Sequence, residues 1–281
     1  FKSVRDMETF EIVYEEDKTK PIPIHFFVKG FEYKFLGIPS SLHFFGTGDR
    51  NMPVHIFGSD RLGRDMFGRT LYGARISLSI GLIGVAFTFF LGITIGGLAG
   101  YYGGLVDEII QRVIELLRSI PTLPLWMALS AALPQTWSSL QIYFAITIIL
   151  SLLGWTGLAR VVRGRILALR DEDYVLAATM AGWNEMYIIF RHMLPSFLSH
   201  VIASLTMSIP GMILGETSLS FLGLGLRHPT ISWGVLLERA QNLHTIIIAP
   251  WLMIPGLFVI LAVLAFNFLG DGLRDAADPY A

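Results

Sequence analysis

Few residues in this 281-residue chain have the type and spacing that chemistry requires. It contains no cysteine, which removes disulfides, thiolate metal sites and cysteine nucleophiles. His192 and His200 lie eight residues apart with no convergent third ligand, so no metal site is predicted. The patterns His-Glu-x-x-His and Gly-x-Ser-x-Gly are both absent, and no catalytic residue is predicted. A Gly-x-x-x-x-Gly-Lys-Ser/Thr phosphate loop is missing too, so the chain does not cradle ATP in that way. What remains is polar chemistry in apolar surroundings. Glu216 is the one carboxylate in a long hydrophobic run, and ionisable groups inside membranes are costly and often mark pathways. Two readings stay open: an interfacial Glu216 paired with an arginine, or a group on a solute pathway or gate. Met207, Ser208 and Met212 are weaker pathway candidates that also read as plain packing.

A second constellation suits docking rather than reaction. Between two apolar segments lies the polar stretch 171–195. Glu172 and Asp173 suit a helix N-terminus, where carboxylates meet the positive end of the dipole. Helix formers continue to Ala181, Gly182 suits a left-handed stop, and Asn184 can cap a second short helix ending before Pro195. Ala177 and Ala178 leave a patch poor in side chains, and Tyr174, Trp183 and Tyr187 suit contact anchors. A plain interfacial hairpin satisfies the same residues equally well.

The elements that hold these groups follow from composition. Hydrophobic residues make up 53% of the chain and charged ones 15%, well below the quarter usual for soluble domains. The apolar residues gather into runs long enough for a bilayer core of roughly 30 Å. Five spans are predicted, over 76–100, 118–134, 140–162, 195–221 and 247–270. The second is short as an apolar run and borrows residues from an amphipathic helix over Asp107–Arg118. Gly92, Gly96 and Gly100, four apart, permit close helix packing, although glycine is frequent in membrane helices anyway. Pro121 and Pro124 predict a kink or restart leading into the second span, and Pro210, Pro250 and Pro255 predict kinks or interruptions further on. Residues 1–56 are mixed and aromatic, and alternation around Ile22–Val28 suggests a small strand-containing region. Arg160, Arg163, Arg165, Arg170 and Arg191 flank the 171–195 loop and favour placing it and the C-terminus in the cytoplasm, with residues 1–75 outside. Arg61, Arg64 and Arg69 then lie outside, where local salt bridges are favoured over contacts with a partner or a solute. Five spans with an external start predict one further span before Phe1. A net charge of -1 and the lack of a basic stripe give no reason to expect nucleic acid.

Ala177-Ala178, Gly182 and Leu194-Pro195, at this spacing, resemble the EAA loop of ABC importer permeases. Leu176 stands where that pattern has Glu and His192 where it has Ile. Gly58-Ser-Asp-Arg-Leu-Gly-Arg-Asp65, Tyr72-Gly-Ala-Arg-Ile-Ser-Leu78, Gly100-Tyr-Tyr-Gly-Gly104, Arg191-His-Met-Leu-Pro195, Gly215-Glu-Thr-Ser-Leu-Ser-Phe-Leu-Gly-Leu-Gly225 and Asp275-Ala-Ala-Asp-Pro279 resemble, in order, the C-type subunit of the dipeptide/oligopeptide/nickel permease family. The resemblance covers residues 57–281. It implies an all-α type I importer transmembrane domain in a prokaryotic cytoplasmic membrane. It further implies a homologous B-type permease partner, two ABC ATPase subunits carrying ATP and magnesium, and an extracytoplasmic solute-binding protein. The expected cargo is peptide, with oligosaccharides, nickel or opine-like solutes as alternatives; a channel or structural membrane subunit is the alternative of another class. The coupling residues implied are Asp173, Tyr174, Ala177, Ala178, Gly182, Trp183, Arg191 and Pro195.

Overall fold

The computed structural model describes residues 2–5, 12–15, 22–35, 38–48, 54–134 and 136–277. The chain divides into two units, 1–56 and 57–281. In the first, β1 (Lys2–Arg5) pairs antiparallel with β2 (Ile12–Glu15), and β3 (His25–Phe35) with β4 (Ile38–Gly46). The strand expected around Ile22–Val28 falls at the start of β3. Its register slips between Lys29 and Tyr33, and the Tyr33 hydroxyl donates to the Leu42 carbonyl at 2.6 Å.

The second unit is helical. Asp65 accepts from the amides of Phe67 and Gly68, which starts α1 (Met66–Tyr102) ahead of the expected boundary at residue 76. At about 1.5 Å per residue, α1 exceeds what a hydrocarbon core requires. Gly103 and Gly104 both take positive φ, 64° and 51°, and turn the chain sharply into α2 (Gly104–Ser119). There follow α3 (Thr122–Ala131) and α4 (Ser139–Leu169), the latter opened by a reciprocal Ser138/Gln141 capping box. After α4 come α5 (Asp173–Met180), α6 (Glu185–Tyr187), α7 (Leu198–Thr206), α8 (Ile209–Phe221), α9 (Trp233–Leu237), α10 (Leu243–Ile248) and α11 (Ile254–Ala277).

Among the described residues, four helical stretches are long and apolar enough to cross a membrane: Met66–Tyr102, Ser139–Leu169, Glu185–Phe221 and Pro250–Ala276. Over the second expected span, 118–134, the restart expected at Pro121 is present, and none of these four long stretches covers it. Ile120 is extended, with φ −88° and ψ 129°, because the ring of Pro121 disfavours helix at the residue before it. The helix that restarts there, α3, has only 10 residues. The expected stop before Pro195 differs. From α6 the chain passes through a π turn (Ile188–Met193) and a 3-10 turn (Leu194–Phe197) directly into α7. The wide turn bonds the Leu194 amide to the Ile189 carbonyl, five residues back. Irregular turns of this kind absorb the hydrogen bond that proline cannot make. Near Pro210 the expected break is present, between α7 and α8.

α1 and α4 form the central pair. A Cβ on Gly96 would lie 2.4 Å from the Ala159 carbonyl oxygen, and one on Gly92 or Gly100 would strike Leu158 or Ile166. These glycines therefore mark backbone-to-backbone approach rather than general membrane composition. α8 crosses α1 at Gly81 and Gly84, and Ser151 of α4 donates to the Gly84 carbonyl at 3.2 Å.

Candidate functional site

Three places in unit 57–281 concentrate the residues of interest. The first is the loop after α4. Val175 and Ala178 of α5 bury themselves against Leu158, Val162 and Ile166 of α4 and against Ile188, Ile189 and Met193 of the π turn. This plants the loop on the bundle. Gly182 takes φ 77° with open space where a Cβ would stand, and Asn184 caps α6 by accepting from the Met186 amide at 2.9 Å. Helix, glycine corner and capped second helix thus stand as the residues predicted, except that the second helix does not stop. Of the alanine pair, Ala178 is only 7% exposed and belongs to the core, so Ala177 alone faces outward. Asp173, Arg191 and Pro195 are exposed. Tyr174, Leu176, Met180, Trp183 and Tyr187 are exposed too, Met180 to 87% and Trp183 to 51%. Trp183 and Tyr187 stack with ring centroids 4.5 Å apart. Pre-stacked rings lose little freedom when a partner covers them.

Beside the loop lies a clip that the residues gave no sign of. Arg163 of α4 donates through Nε and Nη2 to the two carboxylate oxygens of Asp107 on α2. Those donated bonds hold the Asp107 carboxyl below its usual range against the upward push of its burial. Tyr101, at the end of α1, shares a hydrogen bond with Thr179 of α5 at 3.3 Å.

The second place is a cavity of about 430 Å³ among α2, α3, α4 and α8. Ser208 and Met212, two of the four predicted pathway residues, line it together with Arg118, Trp126, Gly154 and Gly157. Met207 points away, against Gly270 of α11. Arg118 and Trp126 escaped the sequence reading; Arg118 read as one more polar residue of the amphipathic helix. Its guanidinium makes no ion pair among the described residues, and the Trp126 indole nitrogen is buried without an acceptor.

Glu216 is not in that cavity. It is fully buried, 0% exposed, and accepts from Ser77 at 3.1 Å, Ser220 at 2.8 Å and Ser232 at 2.7 Å. Each of those hydroxyls in turn accepts a backbone amide, from Trp233, Leu226 and Val235. No arginine is among its partners, so the arginine-paired reading does not describe it, and it stands apart from the cavity of Ser208 and Met212. It is a knot that ties α1, α8 and α9 together, with the indole of Trp233 donating to the Thr70 carbonyl at 2.9 Å. The signal was faint, since nothing in the residue pattern joins Ser77 to Ser232 across 155 positions.

The third place is the turn before α1. Asp60 accepts from the amides of Leu62 and Arg64, from Arg64 Nε at 2.7 Å, and from Arg69. Burial pushes the Asp60 carboxyl upward, but these donors outweigh it and hold the group below its usual range. Arg61 donates to Thr245 at 2.6 Å, and Trp251 donates to the Ser59 carbonyl at 2.8 Å beneath Gly58. Arg64 and Arg69 thus form the local salt bridges that were expected of them, both to Asp60.

A family model described as binding-protein-dependent transport system inner membrane component matches residues 92–280. The chain is 41% identical over 236 residues to the dipeptide transport system permease protein DppC of Bacillus subtilis, covering 82% of this chain and 71% of that protein. It is 37% identical over 226 residues to the oligopeptide transport system permease protein OppC of the same organism, covering 80% and 72%. With the glutathione transport system permease protein GsiD of Pectobacterium atrosepticum the identity is 42% over 227 residues, covering 80% and 73%. Among solved structures, a chain of the MetNI methionine ABC transporter in an inward-facing conformation is similar in fold. It superposes with a TM-score of 0.58 at 18% identity, covering 76% of this chain and 98% of that one.

Proposed function

The chain belongs to the binding-protein-dependent transport system inner membrane component family, and from that premise we propose that it forms half of the translocation pathway for peptides and receives its motion through the 171–195 loop. It is a multi-pass membrane permease subunit of the ABC importer type. ATP and magnesium act on two partner ATPase subunits, a homologous permease partner supplies the other half of the pathway, and a solute-binding protein delivers the cargo. The loop and C-terminus face the cytoplasm, and residues 1–75 face outward. Residues of α2 and α3 together complete a fifth crossing within 76–281.

The observation that carries this reading is the two-sidedness of the loop. Its inner side is fixed by Val175, Ala178, Ile188 and Ile189, while its outer side shows Tyr174, Met180, Trp183 and Tyr187 to solvent. An apolar surface on a short segment outside the spanning helices marks a partner's seat, and the resemblance of this loop to that of ABC importer permeases implies an ATPase as the partner. An ATPase gripping Ala177 and these rings would move α4 and the 185–221 segment together, because the loop is continuous with both. Coupling demands that the ATPase grip the two states of the pathway differently, since equal affinity would shift nothing. The cavity holding Arg118, Trp126, Ser208 and Met212 supplies this chain's wall of the pathway.

The test is reconstitution of the assembled complex in vesicles with Ala177→Trp in this chain. Insertion and pairing with the permease partner should survive, whereas copurification of the ATPases and peptide uptake should be lost. Full uptake by that variant sinks the proposal.

A further inference from the structure

The end of the bundle that carries the Asp60 turn holds a cavity of about 390 Å³, walled by Leu62 and Ile231 and edged by Arg64, Arg69, His228 and Arg239. Three guanidinium groups and an imidazole edge it, and the Asp60 carboxylate beside them is already occupied. Asp60 takes Arg64 and Arg69 along with two backbone amides. Arg239 has no ion-pair partner among the described residues.

Arg69 is the informative group. Only its Nη1 reaches Asp60; its Nε and Nη2 are buried and donate to nothing. Those two N–H groups share one edge of the planar guanidinium, the edge whose spacing matches the two oxygens of a carboxylate. The same molecule uses that edge in this way elsewhere, where Arg163 grips Asp107 through Nε and Nη2. His228 Nε2 is also buried without a partner. Burial first, and then the charges of Arg239, Arg69 and Arg64, hold the imidazole below its usual range against the weaker opposing pull of Glu238. Buried donors without acceptors are rare in folded proteins, and each calls for an explanation. Here the residues that carry two such guanidinium nitrogens and an unpaired ring nitrogen, together with the unneutralised Arg239, edge one hollow.

We propose that this cavity binds a small carboxylate-bearing molecule, with the carboxylate taken edge-on by Arg69 and closed over by Arg239 and His228. The cavity alone carries this inference, and it stands or falls independently of the transport reading. The carboxylate has two sources with the same chemistry, a free monocarboxylate and the C-terminus of a short peptide.

The experiment uses the purified complex and follows its thermal unfolding midpoint against acetate, dialanine and dialanine amide, at constant ionic strength set with chloride. Acetate, dialanine or both should raise the midpoint in a saturable way, and the amide should not. A response to acetate alone assigns the free anion, and one to dialanine alone assigns the peptide terminus. Arg239→Gln, at an exposed residue that holds no other element, should weaken the apparent affinity by about tenfold. Arg69→Lys keeps the charge, removes the planar edge and should abolish the response. Should Arg69→Lys fail to assemble, the Arg239→Gln titration decides alone. Identical titrations for the unmodified complex and Arg239→Gln, an equal effect of the amide, or no shift with any carboxylate would overturn the proposal.

Discussion

The knot around Glu216 and the loop after α4 handle polar groups in opposite ways. At the knot, amides feed hydroxyls and hydroxyls feed a carboxylate, all buried, and the bonds join residues as far apart as Ser77 and Trp233. In the loop most polar bonds are local, such as Asn184 to Met186 and Thr179 to Val175, with Tyr101 to Thr179 the one tie to α1 described above, and the apolar groups are the ones left outside. Long-range polar closure fixes helices relative to one another, because each bond is lost if either helix moves. Local closure with an apolar outer side makes a self-contained piece that a partner can take hold of. The molecule thus has one end tied internally and one end prepared for an external hand.

The largest effect that would break this contrast comes from the knot. Glu216→Leu removes the acceptor of three buried hydroxyls and should cost on the order of 3 kcal/mol. It should appear as loss of folded protein in membranes, read by protease sensitivity; normal accumulation would mean that the serines re-pair unaided. Next is Gly182→Val. With φ at 77° and open space around it, the change strains the backbone by about 1–2 kcal/mol without a clash. The chain should still insert, while uptake per ATP hydrolysed falls. A smaller effect should follow from the Asp107–Arg163 clip. The Asp107 carboxyl sits below its ordinary range in the folded chain, so the clip contributes fully above that range. It fades as pH falls through that range toward the lowered value. Asp107→Asn should therefore flatten the acid side of the stability profile, measured by thermal midpoint against pH. The smallest effect on the chain itself belongs to Trp183→Ala, within about 0.5 kcal/mol, as expected for an exposed side chain. The same variant should weaken ATPase binding by about tenfold or more if the ring is an anchor. Equal binding would move the docking surface elsewhere on the loop.

Local chemistry was legible from the residues. Gly182 as a left-handed corner, Asn184 as a cap and the break at Pro210 are decided within a few positions of themselves. The glycines at 92, 96 and 100 announced a close approach, although not against which helix. What could not be read was pairing at a distance. Ser77, Ser220 and Ser232 are unremarkable until α1 and α9 meet, so nothing in the residue order announced the three hydroxyls that bond to Glu216. Arg118 looked like one more polar residue on α2 until the cavity put Trp126, Ser208 and Met212 beside it. The restart at Pro121 was legible as well, since the proline straightens Ile120 and splits the run into two helices. Pro195 is the exception: proline usually ends a helix, but the π turn ahead of it leaves room to continue.

That wide turn also sets a phase. A residue added to a helix without breaking it rotates everything downstream by about 100°, one step of the 3.6-residue screw. The turn at Ile188–Met193 carries such an additional residue between the loop's outer face and the faces that α7 and α8 present to the rest of the bundle. Deleting a single residue there would leave the helix intact and its length nearly unchanged. It would nonetheless swing Trp183 and Tyr187 around the axis relative to Ser208 and Met212, so the subunit would be correctly built and clocked wrongly.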